Sequence, residues 1–425
     1  MLIHIVRPGD TLYKIGQRYG VSAERLITDN AISNPERLMV GQAIVVPVTS
    51  VRHTVLAGES LYSIAQMYSV TVDAIAAANP QITNPAQIFA GQVITIPLSD
   101  EKIGSIYVNG YVFPGISTDT LQKTLPNLTF ISIFSYEVRA DGSLSNLNDR
   151  PIIDAARAAN VAPLMVITNI REGGGFSGDI AHAVLTNEAA QNNLINNILQ
   201  TLPKGYYGIN VDFEYIFPYD RESYNQFIAR LTETLKAQGY IVTTSLAPKI
   251  SADQQGTLYE AHDYPFHGRT VDFVILMTYE WGYTYGPAQA VAPLNEVRRV
   301  LDYAVTAIPP EKILMGIPNY GYDWTLPFVQ GSSARVLSNT AAANLASSVG
   351  AEIKFDLKAQ SPFFNYFDNN GNEHVVWFED ARSIRAKLYT VNEYGLAGVS
   401  YWTLNSYFPQ NWIVLNSMYN VIKVL

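Results

Sequence analysis

The residues with the clearest capacity for chemistry lie in Tyr206–Tyr215, which reads Tyr-Tyr-Gly-Ile-Asn-Val-Asp-Phe-Glu-Tyr. Side chains alternate across a strand, so Gly208, Asn210, Asp212 and Glu214 share one face and Ile209, Val211 and Phe213 the other. Two carboxylates on an inward face are costly to bury without a purpose. Close like charges raise the proton affinity of one of them. A protonated Glu214 beside an ionised Asp212 is a general acid at neutral pH. The bland alternative is a structural ion-pair cluster. Tyr207 falls on the outward face of this register.

Such an acid needs a scaffold that puts strand ends together. Eight apolar, β-branched runs recur along the chain: 106–113, 128–136, 163–168, 206–214, 241–246, 271–279, 313–318 and 398–404. Helix patterns such as Asn187–Leu202 and Tyr224–Gln238 separate them. Eight buried strands alternating with helices predict an α/β fold, a (β/α)8 barrel over residues 104–425. The other reading, a doubly wound sheet, lacks a Gly-rich phosphate turn after its first strand. Gly173–Gly175 follows strand three without a P-loop lysine and reads as a flexible loop. The gap between strands seven and eight exceeds one helix. Phe363–Phe378, with Asp368-Asn369-Asn370-Gly371 at its centre, predicts an inserted β-hairpin there.

Composition narrows the possibilities. The 425 residues carry 28 Lys+Arg against 37 Asp+Glu, a formal charge of −9, which disfavours nucleic acid as a partner. With no cysteine there is no thiolate chemistry or disulfide. The six histidines form no His-x-x-x-His pair, so no metal site is predicted. No apolar run is long enough to span a membrane. The segment from Met1 has no basic region followed by an apolar one, so no Sec signal is expected.

The first hundred residues are a tandem duplication. His4–Asn30 aligns with His53–Asn79 at an offset of 49, with 10 of 27 pairs identical, and Asn34–Pro47 aligns with Asn84–Pro97 at 50. Each copy reads strand, helix, helix, strand, giving modules at 1–48 and 51–98. Residues 98–104 form a polar linker. The two copies together hold 6 basic and 6 acidic residues, so they would not grip an anionic polymer by charge.

Val6-x-x-Gly9-Asp10-Thr11-Leu12-x-x-Ile15, Val55-x-x-Gly58-Glu59-Ser60-Leu61-x-x-Ile64 and the Asn-Pro…Gly-Gln…Ile-x-x-Pro tails resemble the LysM domain. The resemblance implies a βααβ fold that binds N-acetylglucosamine polymers. It places a sugar groove at Gly9, Asp10, Thr11 and Leu12 with Ile32, and at Gly58, Glu59, Ser60 and Leu61 with Ile82. Thr11 and Ser60 read equally well as helix caps.

The strand-four segment resembles the Asp-x-x-Asp-x-Asp-x-Glu motif of family 18 glycoside hydrolases, with Tyr207 and Asn210 in place of its first two Asp. The resemblance implies Glu214 as acid/base and Asp212 as the residue that orients the substrate's acetamido group, whose own oxygen attacks C1. Asn210 cannot share a proton with Asp212, which alters the pH profile. Met277-Thr278-Tyr279-Glu280-Trp281 is similar to the family's Met-x-Tyr-Asp, implying that Tyr279 bonds the acetamido group and that Met277 and Glu280 line the sugar pocket. Trp402, after Ser400-Tyr401, would be the floor under the sugar. Tyr136 ends strand two and is expected to reach the site; Trp281 and Trp324 are positioned to stack on sugars; Trp377 and Trp412 read as packing. Strand three ends Thr168-Asn169, where the family has Ser-x-Gly-Gly.

The whole chain resembles the cortical-fragment-lytic N-acetylglucosaminidases of bacterial endospores. The resemblance implies a retaining hydrolase of spore-cortex peptidoglycan, spore-associated, without a cofactor, acting during germination on glycan strands that contain GlcNAc. A LysM-anchored chitinase shares every catalytic residue. A sugar-binding protein on an inactive barrel is the non-enzymatic alternative, and the presence of Glu214 weighs against it.

Overall fold

The computed structural model describes residues 1–68, 70–98 and 101–425. Ser99 and Asp100, within the expected linker, lie outside the described residues. The first module is β1 (Leu2–Ile5), α1 (Leu12–Tyr19), α2 (Ala23–Asn30) and β2 (Ala43–Val46). The second is β3 (Ser50–Thr54), α3 (Leu61–Tyr68), α4 (Val72–Ala78) and β4 (Val93–Pro97). In each, the outer strands pair antiparallel. Thr11 caps α1 by accepting from the Lys14 amide at 3.2 Å, and Ser60 accepts from the Ser63 amide at 3.2 Å. Such caps stabilise a helix start by roughly 1 kcal/mol. The small cores hold Val6, Leu12, Ile15, Leu26, Ile32 and Ile44 in module 1, and Val55, Leu61, Ile64, Ile75, Ile82 and Ile94 in module 2.

The rest is a closed barrel. Its strands are β5 (Gly104–Val112), β6 (Phe130–Glu137), β7 (Ala162–Thr168), β8 (Gly208–Asp212), β9 (Ile241–Leu246), β10 (Phe273–Leu276) and β11 (Ile313–Pro318). After the insertion β12 (Gly321–Leu326), β13 (Arg335–Leu337), β14 (Lys354–Asp356), β15 (Ser361–Phe367) and β16 (Glu373–Trp377), the eighth barrel strand is β17 (Gly398–Trp402). All barrel neighbours are parallel, and β17 closes the ring on β5 through Gly398↔Tyr107 and Tyr401↔Gly110. A ninth strand, β18 (Tyr419–Val421), pairs with the start of β5.

The outer ring comprises α5 (Thr118–Thr124), α6 (Arg150–Ala158), α7 (Gly178–Leu185), α8 (Glu188–Thr201), α9 (Arg221–Lys236), α10 (Tyr264–Thr270) and α11 (Leu294–Ala307). It continues beyond the inserted α12 (Asn339–Val349) with α13 (Ala381–Glu393) and α14 (Pro409–Met418). Ile209, Val211 and Phe213 are fully buried under α9 residues such as Phe227 and Leu231. Each such burial is worth about 1.5–3 kcal/mol. The interior is filled in layers, with Phe130, Leu164 and Phe273 at the base and Tyr111, Phe134, Val166, Ile275 and Leu314 above. A filled barrel leaves its C-terminal rim for chemistry.

Two expectations change here, and a third is extended. Tyr207 precedes β8 and joins the base of the barrel, 6.3 Å from the Phe130 ring, instead of facing the helices. The insertion is a five-stranded sheet, ordered β13-β12-β16-β15-β14, and its β15–β16 hairpin turns at Asp368–Gly371. Gly173–Gly175 forms a closed turn: the Arg171 amide donates to Gly175 O at 3.0 Å and the Gly174 amide to Arg171 O at 2.9 Å. Its three glycines all have positive φ, a backbone that L side chains rarely adopt.

Candidate active site

Strand alternation carries Asp212 to the rim of β8, and Glu214 follows one turn of the pleat later. Both line a cavity of about 530 Å³ at the mouth of the barrel. Met277, Tyr279, Glu280 and Trp281, from the end of β10, line it, as does Trp402 at the end of β17. Trp402 is held edge-on by Phe134, Tyr111 and Phe113 at 4.9, 5.2 and 5.7 Å between ring centres. An indole so braced offers a fixed apolar face to a sugar's C–H surface.

The carboxylates are fixed from below. Asn210, under Asp212, accepts from Tyr111 OH at 3.0 Å and from Ser245 Oγ at 3.1 Å, and donates to Thr243 Oγ1 at 3.0 Å. These bonds lie inside the barrel and Asn210 is not among the residues that line the cavity, so it organises the barrel interior. Glu214 is clamped through its backbone: its amide donates to Asn169 Oδ1 at 2.9 Å, and Asn169 Nδ2 donates to its carbonyl at 2.8 Å. His262 ties the ends of β8 and β9 together. Its Nδ1 accepts from the Ala247 amide at 2.9 Å, so the proton sits on Nε2, which donates to Phe213 O at 3.0 Å. Burial lowers its pKa to about 4 and keeps it neutral.

Electrostatically the cavity is one-sided. Three carboxylates line it, and no lysine, arginine or histidine is among its lining residues. Burial pushes Glu214 well above the usual carboxylate range, and the charges of Asp212 and Glu280 add to this. Burial also raises Asp212, while Ser245 works against the rise. Burial therefore favours the protonated form of Glu214, the form a general acid needs. Asp212 Oδ1 is buried and has no hydrogen-bond partner among the described residues. A buried carboxylate oxygen without a donor is destabilising unless a ligand supplies one. Glu280 is raised by desolvation, opposed by the hydroxyls of Tyr320 and Tyr322 that donate to it. Tyr215 and Glu280, both at the cavity, have φ of 53° and 69°. A left-handed non-glycine costs roughly 1–2 kcal/mol, strain of the kind stored at working sites.

The structure gathers Asp212, Glu214, Met277, Tyr279, Glu280, Trp281 and Trp402 around one cavity. Tyr136 is not among them. A bulge in β6 between Ile133 and Tyr136 adds one residue against β7 and reverses the facing. Tyr136 turns to the helices, where its hydroxyl donates to Asp149; Lys204 Nζ donates to the same hydroxyl at 2.8 Å. Trp324 is buried in the insertion, donating to Gly286 O at 2.9 Å, and is not a stacking platform. Trp412 and Trp377 pack, the latter stacked on Phe363.

In the modules, Leu12, Ile32, Leu61 and Ile82 are core side chains. Asp10 accepts from the Arg7 amide at 2.8 Å and from His4 at 3.0 Å; Glu59 repeats this with Leu56 and His53 at 2.7 and 2.8 Å. Each His is held in turn by Tyr19 or Tyr68. Gly9 and Gly58 sit in the same turns at φ 82° and 86°.

Sequence reasoning missed Tyr111, Phe134, Ile170, Phe176, Tyr259 and Tyr283, which also line the cavity. Ile170 and Phe176 are the paired arms of the glycine turn. The Thr168-Asn169 departure gave a usable signal: a buried amide beside the acid's strand is a natural backbone clamp.

Comparison with known proteins agrees with this geometry. The pattern of Glycosyl hydrolases family 18 matches residues 107–406, and that of the LysM domain matches residues 4–47 and 53–97. The chain is 41% identical to the cortical fragment-lytic enzyme of Bacillus subtilis (strain 168), over 100% of this chain and 99% of that protein. The crystal structure of the spore cortex-lytic enzyme SleL from Bacillus megaterium QM B1551 superposes with a TM-score of 0.90 at 38% identity, covering 100% and 99% of the two chains. A chitinase from Chromobacterium violaceum matches at a TM-score of 0.68 and 28% identity, over 74% of this chain and 98% of its own.

Proposed function

Because the chain belongs to family 18 of the glycosyl hydrolases, we propose that it is a retaining N-acetylglucosaminidase of spore-cortex peptidoglycan, acting on cortex or its fragments during germination. The proton on Glu214 goes to the glycosidic oxygen as the C1–O bond breaks. The substrate's acetamido oxygen bonds C1 from the opposite face, giving an oxazolinium ion and dispensing with an enzyme nucleophile. Asp212 Oδ1 accepts the acetamido N–H, whose nitrogen gains positive charge in this step. The Tyr279 hydroxyl donates to the acetamido oxygen and aims it. Water then attacks C1 as the bond from C1 to the acetamido oxygen breaks and restores the acetamide, Glu214 takes the water's proton, and the configuration is retained. Met277, Trp281 and Trp402 supply the apolar surround, and Glu280 accepts a sugar hydroxyl at the rim. The reaction needs no metal or cofactor.

One observation carries this reading: two buried carboxyl groups, Glu214 and an Asp212 whose Oδ1 lacks a donor, share a cavity lined by the Trp402 indole. The unpaired oxygen fits an acetamido N–H. A chitinase reading has the same chemistry and is favoured by the barrel's likeness to chitinases such as the Chromobacterium protein, which spans 74% of this chain. The full-length match, modules included, supports the cortex reading.

The test is a paired digestion. Wild type and Glu214→Gln are given cortex fragments, vegetative peptidoglycan and chitin oligomers, and new reducing ends are identified by mass spectrometry. GlcNAc ends from cortex with wild type alone are expected. Release from chitin only would replace this reading with the chitinase one, and binding without any product would leave a lectin.

A further inference from the structure

The two LysM modules share a fold but not surroundings. In module 1 the segment between α2 and β2 is pressed onto the insertion. The Ser33 amide donates to Asn344 Oδ1 at 3.1 Å, Ser347 Oγ donates to Arg37 O at 2.7 Å, and the Ile353 amide donates to Val40 O at 2.9 Å. Gln410, at the start of α14, donates to Asn30 Oδ1 and to Ala43 O, both at 2.8 Å. Val45 belongs to the main barrel core, and Ile3 packs on it.

Module 2 leaves the corresponding positions in solvent. Phe89, the counterpart of Met39, is 70% exposed, and Val93, the counterpart of Ala43, is 45% exposed. Ile3 is replaced by exposed Arg52 and Val45 by Thr95. Asn79 takes its extra donor from Gln81 of its own module at 3.1 Å, where Asn30 uses Gln410. Module 2 rests on module 1 instead, with Leu2, Tyr19 and Val48 packed against its core. The exchanges of Ile3 for Arg52 and Val45 for Thr95 remove apolar side chains where the free copy has no surface to cover them.

We infer that the modules divide the work: module 2 carries the grip on the glycan through the corner made by Leu56 and Phe89, while module 1 is a brace built into the catalytic body. This rests on the reading that the polymer is a GlcNAc glycan. The Val55 amide donates to Gln92 O at 2.9 Å and the Gly91 amide to Val55 O at 2.8 Å, so Leu56 and Phe89 flank one backbone crossing. Leu56 is 63% exposed beside the Gly58 turn. In module 1 the same corner is spent: Met39 packs into the insertion's core and Gly41 touches the Ile353 carbonyl. Residues 50–97 carry only Arg52, Glu59 and Asp73 as charged groups. An apolar corner on a nearly uncharged surface suits a neutral polysaccharide rather than an ionic polymer.

The test uses the full chain with Glu214→Gln, so that the polymer survives, and measures co-sedimentation with cortex sacculi and with chitin beads. Leu56→Asp and Phe89→Ser are compared with Arg7→Asp, the module 1 position aligned with Leu56. Melting temperatures confirm folding. Expected is at least a tenfold weaker half-saturation for either module 2 variant and less than a twofold change for Arg7→Asp. Equal losses in both modules, loss only with Arg7→Asp, or no binding by the parent protein to either polymer would overturn the division. Retention on chitin but not on sacculi would remove the peptidoglycan reading, and the same ratios on chitin would then decide the module assignment separately.

Discussion

At the scale of single residues, the site is governed by the surplus of carboxylates over cations in its lining. Asp212 contributes to the raised pKa of Glu214, so Asp212→Asn should move the alkaline limb of kcat/KM to lower pH, besides lowering the rate roughly 10²-fold or more. Glu280→Gln should shift the same limb in the same direction but less, since its charge is the smallest of the three causes. A pH–rate profile on a soluble chromogenic glycoside reads both. The same burial has a cost in stability. A carboxyl whose folded pKa lies above its unfolded value binds the proton more tightly when folded. Its stabilising contribution is full below the unfolded pKa and declines as pH rises through the folded one. Glu214→Gln, though inactive, should therefore melt higher than wild type above pH 7, with the gap closing by about pH 4. A lower melting point across the whole range would contradict this. Asp212 and Glu214 were legible in the sequence because strand alternation alone puts them inward. Asn169 was legible only as a departure, since its clamp on Glu214 exists once β7 and β8 lie side by side.

At the scale of elements, the β6 bulge decides what reaches the cavity. One added residue sends Tyr136 to the buried Asp149, which Tyr206 also contacts at 2.7 Å. Tyr136→Phe should cost about 1–2 kcal/mol, seen as a lowered melting temperature, with kcat/KM within twofold of wild type. A large KM change at unchanged stability would return Tyr136 to the substrate. Eight apolar runs were enough to place the barrel strands to within a few residues. No pattern of period two announces a bulge, which is set by fit to a neighbouring strand rather than by local preference. The insertion was half visible for a similar reason. Its hairpin carries a turn sequence, whereas β12 begins just past Pro318 and Trp324 reads like a rim aromatic until β16 covers it.

For the whole molecule, two aligned glycines separate the docked module from the free one. Gly41 and Gly91 have φ of 82° and 86°, so alanine strains both alike. A Cβ on Gly41 would lie 1.8 Å from the Ile353 carbonyl, whereas nothing lies within 4 Å of one on Gly91. Gly41→Ala should therefore lower the melting temperature several degrees more than Gly91→Ala, by differential scanning calorimetry. Equal effects would mean that module 1 does not lean on the barrel in solution. The two modules were legible as copies from their repeat. Their unlike settings were not, because contacts such as Gln410 to Asn30 span 380 positions.

That contact has a consequence in time. Module 1 precedes its partners α12, α13 and α14 in the chain by roughly 300 residues or more. At about 5–20 residues per second, some 15–70 s separate them on the ribosome. Through that interval Ile3 and Val45 face water without the surface they are shaped for. Docking on the nascent chain is thus delayed: module 1 can adopt its own fold but finds its seat only once the insertion and α14 have been made.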